Sequence, residues 1–187
     1  MIIEKSFTSC PILKSKFVDH ERIKDKILEA IDRQEYPSVD YETNIITKSD
    51  WNIPQEIFRP YQHLIFPNLV DHLKEVYSSL GFAEIQIHNL WFQQYTKGSG
   101  HKWHVHQYCQ WTNVYYVEMQ EGAPFLQFID PLTNEVLDIE VEEGDVLSFP
   151  SFIIHRSPDM KNDVRKTIIS CNSCVDISLD YYGDKYP

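Results

Sequence analysis

The chain has 187 residues, with 17 basic and 28 acidic side chains and a formal charge of −11. That length supports one domain, and 42% hydrophobic with 13% aromatic residues is enough to fill a core. No stretch reaches the roughly 18–20 apolar residues of a membrane span, and an acidic chain without a basic stripe is poorly built to grip a phosphate backbone. Glu4 and Lys5 interrupt the opening residues before an apolar run can form, so no secretory signal and a cytoplasmic location are expected. Disulfides are not expected there. Cys171 and Cys174 have the spacing of half a zinc knuckle, but no second pair exists, and on an extended strand the two thiols face opposite ways.

In chain order, Asp19 is placed to N-cap a helix whose apolar face is Ile23, Ile27, Leu28 and Ile31. The stretch 36–60, punctuated by Pro, Asp and Asn, reads as loop. A second helix is expected over 67–80, with Leu69, Val70, Leu73, Val76, Tyr77 and Leu80 inward and Gly81 as its stop. After Gly81 the period becomes that of strands. A long one is expected over 84–95, then short ones near 103–108, 111–119, 125–129, 136–141, 145–149, 152–156 and 165–174. Turn residues separate them, among them Gly122, Asp130-Pro131, Gly144 and Pro158. About eight short strands at this spacing give a sandwich or barrel of roughly 95 residues, placed after the helices. The expected layout of the single domain 1–187 is a helical and loop support over 1–82, a β core over 83–175 and a tail over 176–187.

Eight His are present, and four of them, His88, His101, His104 and His106, fall within nineteen residues. On a strand over 103–108, His104 and His106 share a face. His155 lies on a later strand that a sandwich can bring beside them. Three imidazoles in one barrel can form a facial metal site, although the common iron version has two His and one carboxylate. Ten residues beyond His155, Arg165 and Thr167 share a strand face while Lys166 takes the other. An arginine suits two-point binding of a carboxylate, and a neighbouring hydroxyl can complete the grip. Trp91, Trp103, Tyr108 and Trp111 are candidate pocket walls.

Over residues 95–172 the chain resembles the 2-oxoglutarate- and Fe(II)-dependent oxygenases, in particular the prolyl-4-hydroxylase-like branch. Tyr95-Thr-Lys-Gly98 followed by His104-Val-His106 looks like that family's Tyr-x-x-Gly and His-x-Asp, with the tyrosine nine residues before the first histidine. Val114-Tyr-Tyr-Val117 and the Gly122/Phe125-Leu-Gln-Phe128 segment look like the next strands. Glu143-Gly-Asp-Val-Leu-Ser-Phe-Pro150 followed by His155 looks like the approach to the distal histidine ligand. Arg165-Lys-Thr167 resembles the family's carboxylate-binding Arg-x-Ser/Thr. The resemblance implies an α+β, mainly β fold: a double-stranded β-helix (jelly roll) with the N-terminal helices packed on one sheet. It implies His104 and His155 as iron ligands, with His106 third where the family has its carboxylate. It implies Arg165, Thr167, Tyr95 and Tyr116 as contacts of 2-oxoglutarate. The expected cofactors are Fe(II), 2-oxoglutarate and O₂, and the expected reaction hydroxylates a C–H bond while 2-oxoglutarate becomes succinate and CO₂.

His106 keeps two other readings open: a cupin-like three-histidine dioxygenase that uses no oxoglutarate, and a jelly-roll binding module without catalysis. Asp130 or Asp145 could also supply an oxygen ligand. The expected substrate is a small molecule, peptide or protein, with a basic peptide favoured over nucleic acid by the net charge. No membrane partner is expected, and an exposed edge strand could pair with a second copy.

Overall fold

The computed structural model describes residues 3–7, 10–41, 44–54 and 56–177. Two strands that the period analysis did not find come first, β1 (Ile3–Phe7) and β2 (Pro11–Lys16). Helix α1 follows at His20–Asp32, as expected from its apolar spacing, and buries Ile23, Ile27 and Ile31. Asp19 occupies the N-cap position but makes no side-chain cap bond. Its carboxylate instead accepts from Arg22 Nε at 2.8 Å. The loop-rich stretch holds three short strands, β3 (Val39–Tyr41), β4 (Asn44–Ile46) and β5 (Lys48–Ser49).

Helix α2 spans Pro60–Ser78, starting seven residues before the expected 67 and carrying Pro67 in its interior. Pro60 fits its first turn, where no N–H donor is needed. A proline inside a helix costs about 3 kcal/mol. Each fully buried large apolar side chain offsets about 1.5–3 kcal/mol. Tyr61, Ile65, Leu69, Leu73, Val76 and Tyr77 are all buried on one face, so packing carries the helix through the proline.

The remaining strands are β6 (Phe82–Tyr95), β7 (His101–His104), β8 (Trp111–Met119), β9 (Leu126–Ile129), β10 (Val136–Ile139), β11 (Asp145–Pro150), β12 (His155–Ser157) and β13 (Lys166–Ile177). They form two antiparallel sheets. The major sheet has the order β1-β2-β11-β8-β13-β6-β5, and the minor sheet β10-β9-β12-β7. β3 and β4 make a separate hairpin. The architecture is thus the mainly β jelly roll with two helices on one sheet. The N-terminal segment is more than support, because β2 pairs with β11 and β5 pairs with β6. Of the expected tail, 178–187 lie outside the described residues.

Alternation along β8 and β13 divides the interior. Tyr115, Val117, Ile169 and Cys171 face α1 and α2 in one core. Val114, Tyr116 and Ile168 face the minor sheet in the other, with Phe128 and Phe149. Both faces of these central strands are buried, so their sequences show no polar–apolar alternation. Between β5 and α2, Asp50 is fully buried and pairs with Arg59 Nε at 2.8 Å. It also accepts from Tyr61 Oη at 2.6 Å and from the Phe92 amide at 2.9 Å. Removing one member of such a pair costs about 3–5 kcal/mol. The knot fixes the loop carrying Trp51 against β6. No helix among the described residues is long and apolar enough to cross a membrane.

Candidate metal centre

β7 and β12 lie side by side, with His104 opposite His155. β7 ends at His104, four residues short of the expected 108, so His106 reaches the site from a loop. The His106 amide donates to the Ser151 carbonyl at 3.0 Å, which pins that loop. One nitrogen from each of His104, His106 and His155 lies within 4.8 Å of the other two. Among the described residues this is the one such cluster of potential metal ligands.

The other ring nitrogens set the tautomers. His104 Nδ1 bonds the Lys102 carbonyl at 2.7 Å, His155 Nδ1 the Ile153 carbonyl at 2.9 Å, and His106 Nδ1 the Asn172 Oδ1 at 2.7 Å. Each partner is an oxygen acceptor, so each Nδ1 carries the proton and each Nε2 keeps its lone pair. Burial holds all three imidazoles below their ordinary pKa, His106 down to about 4. The neutral ring is the ligating form. Three neutral imidazole nitrogens suit Fe, Zn, Cu or Ni. Asp130 and Asp145 are elsewhere: Asp130 accepts from the amides of its own turn, and Asp145 pairs with Lys16.

A fourth imidazole, His101, stacks on His104 with ring centroids 3.7 Å apart. Its spacing along the chain assigned it no role. The β7–β12 pairing shifts register between His155 and Ser157, which pair with His104 and His101. Four residues of β7 therefore oppose three of β12, and both histidines turn inward. Burial pushes His101 down to about 3. His88 also lines the cavity, while His20 and His72 are buried in the helix-side core against Tyr115 and Ser15.

The histidines open into a cavity of about 690 Å³ between the sheets. At its inner end Ser157 shares a face of β12 with His155 and accepts from Lys166 Nζ at 2.8 Å. Lys166 is 1% exposed. It also donates to the Pro124 carbonyl at 2.9 Å and lies 5.1 Å from the Tyr95 ring centre. Burial pushes its pKa down to about 7. The Tyr95 hydroxyl is buried facing Ser157, and the nearby Tyr116 hydroxyl is buried without a hydrogen-bond partner among the described residues. A buried lysine with one donor left over and a buried hydroxyl nearby is a set of groups that an anion can complete.

Arg165 and Thr167 are not in this cavity, contrary to expectation. Arg165 forms a two-point pair with Glu118 at 2.6 and 3.1 Å and reaches Asp32 at 3.1 Å. Thr167 Oγ1 donates to the same Glu118 at 3.0 Å. The physical reason is strand parity: Ile168, Ser170 and Asn172 line the cavity, which sends Lys166 inward and its two neighbours toward α1. Trp91 and Tyr108 line the cavity as expected. Trp103 instead packs on Arg156, 4.4 Å from its guanidinium carbon, and Trp111 is buried against Tyr77 on the helix side.

No family profile and no curated protein matches the chain. Solved structures do. The chain is similar to a 2OG-Fe(II) oxygenase family oxidoreductase from Burkholderia pseudomallei, with a TM-score of 0.65 and 9% identity over 87% of this chain and 83% of that one. It is similar to a Pseudomonas putida prolyl-4-hydroxylase, with a TM-score of 0.59 and 14% identity over 86% and 91%. It is also similar to HygX from Streptomyces hygroscopicus, solved with nickel and 2-oxoglutarate bound, with a TM-score of 0.60 and 11% identity over 87% and 81%. At such identities the likeness is one of fold, and the chain has the fold of the 2OG-Fe(II) oxygenases.

Proposed function

We propose that the protein is an Fe(II)- and 2-oxoglutarate-dependent oxygenase that hydroxylates a C–H bond of an organic substrate. The observation that carries this reading is two sets of groups on one side of the major sheet: the histidines that line the cavity, and Lys166, which packs behind the lining residues Tyr95 and Ser157. Three imidazole Nε2 lone pairs converge at one place, and a buried lysine stands behind the inner wall, close to the buried Tyr95 ring and bonded to Ser157. His104, His106 and His155 would hold the metal. Lys166, Tyr95 and Tyr116 would take the far carboxylate of 2-oxoglutarate, the role that Arg165 and Thr167 cannot fill while bound to Glu118. When bound, iron and 2-oxoglutarate supply O₂ activation, with release of succinate and CO₂.

The chain's own groups do the positioning. The Nδ1 bonds hold each imidazole in its ligating tautomer. A carboxylate beside Lys166 favours the ammonium form that burial alone opposes. Ser157 then fixes Nζ so that its remaining proton is free to donate.

His106 in place of a carboxylate supports a second reading, a three-histidine dioxygenase that uses no oxoglutarate. One titration separates the readings. The protein is loaded with Fe(II) without oxygen, 2-oxoglutarate is added, and the metal-to-ligand charge-transfer band is recorded. A band, followed by succinate in air, is expected. Iron binding without the band supports the second reading, and failure to bind metal supports a non-catalytic binding module.

A further inference from the structure

The outer half of the same cavity carries its own chemistry. Among the residues that line the cavity there is no Asp, Glu, Lys or Arg, although the chain contains 28 acidic and 17 basic residues. A basic peptide drawn by the net charge would find no counter-charge inside. The wall is aromatic. Trp51 meets Trp91 edge to face with centroids 4.4 Å apart, and Trp91 stacks on His106 at 5.7 Å and 27°. The row runs from the cavity mouth, where Trp51 is 40% exposed, to the proposed metal ligands. Tyr108 stands at the mouth, 96% exposed with φ of 61°. For a residue other than glycine that conformation costs about 1–2 kcal/mol, and such strain clusters at ligand-binding sites.

Two polar atoms in this wall lack partners. Trp91 is 3% exposed, and its indole Nε1 has no hydrogen-bond acceptor among the described residues. The buried Oδ1 of Asn89 has no donor. Asn89 and Trp91 alternate on β6 and both line the cavity. An unmet buried polar atom costs about 1–3 kcal/mol. The acceptor for Trp91 must then come from what fills the cavity.

We infer that this outer half is a subsite for a neutral, planar aromatic group carrying a hydrogen-bond acceptor, the substrate moiety presented to the metal. The aromatic row supplies offset or edge-on contact to a flat ring. Trp91 Nε1–H donates to the acceptor, and Asn89 Oδ1 takes a donor where the ligand has one. A volume of about 690 Å³ lies within the range of sites that enclose a small organic molecule. The inference deepens the oxygenase reading and rests on it only for the phrase "presented to the metal"; the subsite itself requires no iron.

The test uses five matched probes on the full chain, metal-free and again with Fe(II) and 2-oxoglutarate without oxygen. Acetophenone is neutral, planar and an acceptor. Ethylbenzene lacks the acceptor, methyl cyclohexyl ketone lacks the flat ring, and benzoate and benzylammonium carry charge. Binding is read by saturation-transfer NMR, and the indole N–H signal of Trp91 is followed directly in labelled protein. Acetophenone is expected to bind more tightly than the other four and to shift the Trp91 N–H signal. Trp91→Phe is expected to weaken acetophenone roughly five- to tenfold while leaving ethylbenzene unchanged. Trp51→Ala, at a half-exposed site that folding tolerates, is expected to weaken both. Equal or tighter binding of a charged probe or of the non-aromatic ketone overturns the inference, as does an unmoved Trp91 signal. Loss of the charge-transfer band with acetophenone binding intact would overturn the oxygenase reading and leave the subsite standing.

Discussion

The two faces of β13 carry similar residues to opposite ends. On the helix side, Arg165 and Thr167 satisfy Glu118, and Arg165 reaches Asp32, so the polar groups there close on one another. On the other face, Lys166 has a hydroxyl and a carbonyl but no carboxylate among the described residues, and the buried Tyr116 hydroxyl has no partner among them. A saturated network holds a structure together, whereas an incompletely satisfied one can take a ligand. One residue of strand parity separates the two.

The sharpest way to break this contrast is at the metal. His155→Ala removes one of three ligands, and the expected result is loss of Fe(II) binding by at least a hundredfold in calorimetry, with the fold retained by circular dichroism. On the helix side a histidine should instead report stability. His72 is buried, bonded to Ser15 and pushed down to about 4 from an ordinary 6.5 by burial. Its folded pKa is depressed, so the neutral form's contribution is complete above pH 6.5 and is lost as the pH falls from 6.5 towards 4. Up to about 3 kcal/mol should disappear over that window. Urea titrations should show it, and His72→Gln should flatten the profile.

Lys166→Met is expected to raise the 2-oxoglutarate concentration needed for the charge-transfer band about a hundredfold, the loss of one buried charged hydrogen-bond donor, with metal content unchanged. Arg165→Met should leave that concentration alone and lower the melting temperature, because it strands the buried Glu118. The smallest effect is expected at Asn172→Ala, which frees His106 to rotate. Metal affinity should fall about 10–100-fold, within the range for loss of such a supporting hydrogen bond.

The strands and the convergence of His104, His106 and His155 were legible because both follow from spacing. His104 and His106 are two apart, and the turn residues mark most strand ends within a few positions. Convergence survived even though β7 stops at His104, since the following loop is tied back through Ser151. Arg165 was expected in the cavity and is not there, which the sequence could not show because β13 is buried on both faces. Lys166-Thr-Ile-Ile-Ser-Cys-Asn172 shows no polar alternation to say which parity faces the cavity, and an arginine is the better carboxylate ligand by chemistry alone. His101 was missed because a bulge breaks the two-residue rule by which faces are assigned. β2 was missed because its pattern is short and its partner β11 lies some 130 residues downstream. A further signal was available: Lys166 opens a strand buried on both faces, and a lysine is rarely buried without a partner.

The central claim is that the inward face of β13 holds the cosubstrate. Its most direct test is the oxygen-free titration of Fe(II)-loaded wild type, Lys166→Met and Arg165→Met with 2-oxoglutarate. The account predicts a saturable charge-transfer band in wild type and in Arg165→Met at the same concentration, with the Lys166→Met curve displaced about a hundredfold. A band that persists unshifted in Lys166→Met and fails in Arg165→Met would contradict it.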